Sequence, residues 1–150
     1  MNRETVIVRC GRCGAKNRIP KHRIGERAVC GKCRNPLSSS VFYPEQAVDV
    51  DDGNFGREVL SFPGPTVVFF WSPSCGYCQR LMPVFHQLAE EYAGRIKFAK
   101  LVSGLNPITS SRYNIQSVPT LIYYKNGREV DRTVGALPKE EIARHLHGLV

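Results

Sequence analysis

Apolar residues beyond about position 48 fall into short unbroken runs separated by longer mixed segments. TVVFFW (66–71), IKFAKLV (96–102), TLIYY (120–124) and EVDRTV (129–134) have the length and β-branched, aromatic composition of strands. Between the first two runs, Leu81, Phe85, Leu88 and Tyr92 recur at three- and four-residue spacing. They mark one face of a helix, and Gly94 stands where a C-terminal cap would be. The closing stretch 137–150 repeats that spacing with Ile142, Leu146 and Leu149, and Lys125-Asn126-Gly127 between two strand-like runs is a hairpin signal. Strand, helix, strand, hairpin and helix predict an α/β fold, a mixed central sheet flanked by helices.

The first forty residues follow different rules. They show little apolar periodicity and are rich in Gly, Arg and Lys. So few apolar residues cannot stabilise a fold alone, so a staple is expected. Pro36, three serines and Pro44 then read as a connection. The expected organisation is a small module at 1–40, a linker at 41–47 and one domain at 48–150. Charge supports that division. Residues 1–40 hold ten Lys or Arg against two acidic residues, while residues 41–150 hold eleven of each sign, so the net +8 of the chain sits in the module.

Six cysteines give the module its staple. Cys10 and Cys13, then Cys30 and Cys33, form two C-x2-C pairs with sixteen residues between them, the spacing of a four-thiolate zinc site. Each pair offers two thiolates along one edge of a tetrahedron, and Gly11, Gly14 and Gly31 suit the tight turn. Two pairs fill the shell, so one zinc(II) ion there would be structural rather than catalytic. Arg9, Arg12, Arg27, Lys32 and Arg34 would ease the negative charge of a zinc tetrathiolate, and His22 has no place left in the shell. Structural disulfides, free thiols or another metal are the alternatives. The N-terminal MNRETVIVRC lacks the apolar core of a secretory signal. A cytoplasmic location is therefore expected, where reduced or metal-bound cysteines prevail. No apolar run approaches the roughly 18 residues of a membrane span. The basic excess admits a nucleic-acid-binding arm, but no aromatic residue precedes Phe42 for base stacking, so nucleic acid is not the expected partner.

The third pair, Cys75 and Cys78, follows a strand-like run and opens the amphipathic helix. C-x-x-C beside a β-α-β pattern reads as a redox dithiol. Cys75 would lie at the helix N-terminus, where free N–H groups and the helix dipole stabilise a thiolate. Cys78 would lie one turn deeper, placed to resolve a mixed disulfide formed by Cys75. Gln79, where haem attachment needs His, excludes that reading.

From residue 48 onward the chain resembles the thioredoxin family over the family's full length. The matching points are the tryptophan that closes FxW (69–71), the dithiol, Pro83 five residues after it, AKL (99–101), VPTL (118–121), KNG (125–127) and VGAL (134–137). The whole chain, with NRIP at 17–20 inside the module, is similar to the zinc-containing bacterial members. The resemblance implies a thioredoxin fold preceded by a four-Cys zinc ribbon, and a protein-disulfide reductase acting through Cys75 and Cys78. It also implies supporting roles for Trp71, Gly76, Tyr77 and Lys100, a cis peptide before Pro119, and client binding along Val118 and Gly135. The implied partners are disulfide-containing client proteins and a flavoprotein thioredoxin reductase; the implied state is a monomer, with no organic cofactor.

Two positions depart from the family. Thioredoxins carry a buried Asp where this chain has Phe69, which leaves Lys100 without its usual partner. Gly76-Tyr77 replaces the usual Gly-Pro between the cysteines and is similar to bacterial disulfide isomerases. Without a buried negative charge the thiolate forms more easily, which stabilises the reduced state. The potential is then expected between about −270 mV, general for thioredoxin, and about −180 mV, general for the isomerases; plain core packing by Phe69 is the alternative. A more oxidising exchange protein, a redox sensor that releases zinc, and a zinc-ribbon adaptor for protein or nucleic acid are the competing functions.

Overall fold

The structure is a computed structural model and describes residues 5–10, 12–20, 28–37, 43–44 and 46–149. Gly11, His22 and Arg27, named above, lie outside the described residues.

A five-stranded sheet is ordered β4 (Val48–Asp49), β6 (Lys97–Val102), β5 (Pro65–Trp71), β7 (Thr120–Lys125), β8 (Arg128–Val134). β4, β6 and β5 run parallel, and β7 and β8 add antiparallel pairs. Both faces of β5 are covered, which explains why its apolar run does not alternate. Val67 and Phe69 pack with α1 (Gly76–Glu91) and α3 (Lys139–His147), while Val68 and Phe70 join Val59, Leu101 and Tyr124 on the opposite face.

In α1 the three- and four-residue spacing becomes a buried stripe of Leu81, Phe85 and Leu88. The Phe85 ring lies 5.1 Å from those of both Phe69 and Phe98, and truncating it to alanine would cost roughly 3–5 kcal/mol. Pro83 removes one intrahelical N–H bond, yet the helix continues to Glu91. At the hairpin, Asn126 and Gly127 both have positive φ, 53° and 80°. A Cβ at Gly127 would stand 2.1 Å from the Leu60 carbonyl oxygen, so only glycine fits there.

Four elements escaped the sequence pattern: β4, a π-helical turn at Gly56–Leu60, a 3-10 turn at Ser103–Leu105, and α2 (Pro107–Arg112). Each is too short to display a period.

The N-terminal module also holds more regular structure than its composition suggests. β1 (Thr5–Arg9) pairs antiparallel with β2 (Lys16–Pro20) and with β3 (Tyr43–Pro44). Tyr43–Pro44 thus belongs to the module's sheet, although its surroundings read as a linker. Ile7 is buried in β1, and its Cγ2 would lie 3.0 Å from a Cβ at Gly94. The module therefore rests on the exit of α1. Among the described residues, no helix is long and apolar enough to cross a membrane.

Candidate active site and metal centre

Residues 72–75 link the end of β5 to α1 in a turn held by its own polar groups. The Cys75 N–H bonds the Ser72 carbonyl at 3.1 Å, the Ser72 and Ser74 hydroxyls are 3.0 Å apart, and Gln79 Nε2 donates to the Pro73 carbonyl at 2.7 Å. Cys75 is the N-cap of α1, with extended backbone and a half-buried side chain. Its Sγ accepts the Cys78 N–H at 3.1 Å, which satisfies one of the free donors at a helix start. Cys78 lies one turn inside and is fully buried. Burial, and then the adjacent Cys75 thiol, push the Cys78 thiol up to about 11. The two thiols thus differ: one is reachable and aligned with the helix dipole, the other is protonated at neutral pH and shielded.

The Val118–Pro119 peptide is cis, and the Val118 carbonyl lies 3.8 Å from Cys75 Sγ. Gly135, at φ 99°, donates its N–H to the Pro119 carbonyl at 2.8 Å. A Cβ at Gly135 would meet nothing within 4 Å, so the space beside that loop is open. Gly76 is the first helical residue; Tyr77 is 64% exposed, with the Arg80 guanidinium 5.4 Å from its ring centre.

The four cysteines of the module converge in two matching knuckles. The Cys10 N–H bonds the Ala15 carbonyl and the Gly14 N–H bonds the Cys10 carbonyl, both at 2.9 Å. Cys30, Arg34 and Asn35 repeat this at 2.8 and 2.9 Å. The left-handed residue in each knuckle follows the second cysteine: Gly14 at φ 75° and Arg34 at φ 64°. Gly31 has no positive φ, so the second knuckle does not depend on a glycine there. Asn17 ties the knuckles together, accepting the Gly31 N–H at 2.9 Å and donating to the Ala15 carbonyl at 3.2 Å.

The four Sγ atoms lie within 4.8 Å of one another, with Cys10 to Cys33 and Cys13 to Cys30 each at 3.6 Å. Those separations exceed the roughly 2.05 Å of a disulfide. They match the edge of about 3.8 Å in a tetrahedron with metal–sulfur bonds of about 2.3 Å. The donor set therefore fits a tetrathiolate metal ion. The N–H groups of Cys33 and Lys32 hold the Cys30 thiol down to about 6. Cys33, despite the Asn35 N–H, is pushed up to about 12 by burial and its three sulfur neighbours.

Comparison with known proteins finds both units. The thioredoxin profile matches residues 46–148, and a profile described as Thioredoxin 2, N-terminal, matches residues 9–35. Thioredoxin 1 of Nostoc sp. is 42% identical over 100 residues, covering 67% of this chain and 94% of the relative. Thioredoxin C-3 of Corynebacterium nephridii is 31% identical over 141 residues, 94% of this chain and 93% of that protein. The chain belongs to the thioredoxin family. It is a thiol–disulfide oxidoreductase, and the adaptor and nucleic-acid alternatives are not favoured.

For a thioredoxin, the surroundings of Phe69 are unusual. Its ring is fully buried, 6.4 Å from Trp71 and 5.1 Å from Phe85, so apolar packing fills the position where the family carries an acid. Lys100, the register partner of Phe69, is not left alone. It pairs with Asp49 at 3.2 Å and lies 5.8 Å from the Trp71 ring centre. Sequence reasoning missed Asp49 because β4 has two residues, too few to show that Asp49 and Lys100 share a face.

Proposed function

We propose that this thioredoxin reduces disulfides of client proteins through Cys75 and Cys78. The observation that carries the reading is the bond from the Cys78 N–H to Cys75 Sγ at the N-terminus of α1. The Cys75 thiolate attacks one sulfur of a client disulfide; that S–S bond breaks and one client thiolate leaves. Cys78, once its proton is lost, attacks Cys75 Sγ and releases the second client thiol, leaving a Cys75–Cys78 disulfide. A flavoprotein thioredoxin reductase returns the two electrons. The buried, proton-holding Cys78 supports the resolving role. The Val118 carbonyl beside Cys75 Sγ and the open side of Gly135 support a client lying there as an added strand. Trp71, Gly76, Tyr77 and Lys100 frame the dithiol.

Cys10, Cys13, Cys30 and Cys33 would hold one structural zinc ion, which supplies charge neutralisation and a cross-link between the knuckles. The units are a zinc ribbon at 1–40, a connection at 41–47 whose Tyr43–Pro44 lends the ribbon its third strand, and the thioredoxin domain at 48–150, the whole working as a monomer in the cytoplasm. The test is insulin-disulfide reduction with NADPH and a thioredoxin reductase. Control-sensitive turnover, lost at least about a thousandfold in Cys75→Ser, is expected, and Cys78→Ser should accumulate a mixed disulfide. Undiminished turnover in Cys75→Ser would exclude the mechanism.

A further inference from the structure

Exposed apolar side chains gather at one edge of the large sheet. β5 and β6 are parallel and end together there, Trp71 opposite Val102. Cys75 follows one of these ends and residues 103–108 follow the other. β7 starts at the same edge after Pro119, and β8 ends there, with Val134 opposite Thr120. Six large apolar side chains are exposed among the described residues, and four of them follow or form these strand ends: Tyr77, Leu105, Ile108 and Val134. Tyr77 and Val134 border the dithiol and the Gly135 loop. Leu105 and Ile108, 77% and 72% exposed, stand on the β6 side.

The backbone that carries Leu105 and Ile108 is firmly held. Asn106 donates to the Val102 carbonyl at 2.9 Å and accepts the Asp52 N–H at 2.8 Å. The Asp52 carboxylate accepts the N–H groups of Ile108 (3.2 Å) and Thr109 (2.8 Å) and the Thr109 hydroxyl (2.7 Å). Ser110 donates to the Ser103 carbonyl at 3.0 Å. Polar groups therefore account for the shape of the turn, and nothing in its own packing covers its two apolar side chains.

We propose that Leu105 and Ile108 form a second contact for protein clients, taking a bulky apolar side chain a few residues from the client's cystine. The proposal rests on Cys75 being the attacking thiol. Continuity decides the occupant: any protein that presents a disulfide to Cys75 is brought against this edge. The ends of β5 and β6 are neighbours about 4.8 Å apart, and a client extended at about 3.3 Å per residue spans from one to the residues beyond the other within a few residues. A very small disulfide does not.

The test uses the full chain and its Leu105→Ser/Ile108→Ser variant, with dithiothreitol as reductant. Insulin and bis(2-hydroxyethyl) disulfide are the two substrates, and equal thermal midpoints show that the variant is folded. KM for insulin should rise about tenfold with kcat retained, the weight of two partly covered apolar side chains. The rate with the small disulfide should hold, and Leu105→Met/Ile108→Val should behave as the parent. An unchanged insulin KM overturns the proposal, as does an equal loss with both substrates, which would mean a disturbed dithiol. A loss seen only when a flavoprotein reductase replaces dithiothreitol assigns the pair to that enzyme instead. Self-association that the variant abolishes assigns it to a second copy. A parent chain that reduces neither substrate removes the dithiol reading and this one with it.

Discussion

After Cys13 and after Cys33 the backbone turns left-handed, at Gly14 and Arg34, whereas after Cys78 it runs on down α1. All three pairs are C-x-x-C, yet this one difference separates two chemistries. In the ribbon, the left-handed residue closes each knuckle so that both of its sulfurs join those of the other knuckle. At the dithiol, the helix takes over, the second cysteine's N–H serves the first cysteine's sulfur, and the second sulfur is carried into the core. Four sulfurs facing one another call for a cation; two sulfurs at a helix start, one of them hidden, suit sequential attack. The lesson is that the C-x-x-C pattern places two thiols together, and the conformation of the following residue decides their use.

Removing the metal probes that contrast most strongly. One zinc per chain is expected by elemental analysis. Chelation should abolish amide protection in β1 and β2, while residues of β5, β6 and β7 keep theirs. Structural zinc in small modules contributes about 10–16 kcal/mol to folding, and among the described residues of β1 and β2 only Ile7 and Val8 are buried, too little to replace it. Protected β1 and β2 amides in the metal-free chain would show that the ribbon stands by its hydrogen bonds alone.

Phe69→Asp tests the other half. Losing a fully buried phenylalanine costs roughly 3–5 kcal/mol, and placing a carboxylate against Phe85 and Trp71 adds to that. Denaturant unfolding of the oxidised chain should register at least this loss. In the parent, glutathione equilibration should give a potential between about −270 and −180 mV, because no acid lies in the Phe69 position to oppose thiolate formation. A value at or below −270 mV would show that Phe69 serves packing only.

How much could be read in advance follows from the same physics. VVFFW announced the central strand because burial on both faces leaves no polar position. Leu81, Phe85 and Leu88 announced α1 because sixteen residues suffice to display the helical period. The hairpin was legible in Asn126-Gly127, whose tolerance of positive φ is a property of those residue types. The 103–110 turn was not legible. Asp52 and Asn106 create it by pairing across more than fifty residues of sequence, and no local pattern encodes that. Arg34 was equally opaque, since a left-handed arginine follows from the knuckle's hydrogen bonds and not from its own preference. Within the ribbon, β1 was not legible because its apolar run is only three residues long, Val6 to Val8, and its partners lie in polar stretches.

The raised Cys78 thiol makes the reduced domain sensitive to alkali. Its value is about 11 in the folded chain against 9.0 for an unperturbed thiol, because burial disfavours the thiolate. The folded state thus holds the proton more tightly than the unfolded state does. That stabilisation is complete below about pH 9 and is lost as pH rises toward 11. The zinc-loaded reduced chain should lose more stability across this window than the oxidised chain, which has no Cys78 proton and shares only the loss that the buried, upward-shifted Tyr123 and Tyr124 phenols impose on both. Parallel denaturant curves at pH 8 and pH 10.5 for the two redox states measure the difference, and identical slopes with pH would show that Cys78 is better solvated than its burial implies.

The smallest expected effect concerns the pair that sequence reasoning did not foresee. Asp49 and Lys100 stand in register on neighbouring strands, and Lys100 in turn adjoins Phe69 and Trp71, so a carboxylate is present two strands from the dithiol strand. Its side chain is 82% exposed, and an ion pair so open to water contributes between zero and about 1 kcal/mol. Asp49→Asn should therefore shift stability by no more than that and leave the glutathione-equilibrated potential unchanged within error. Salt should mask even the stability effect. A shift of some 30 mV, about 1.4 kcal/mol for a two-electron couple, would be more than an exposed pair can supply. It would mean that the Asp49–Lys100–Trp71 row carries charge to the thiols, and that the acid missing at Phe69 has been replaced from the edge of the sheet.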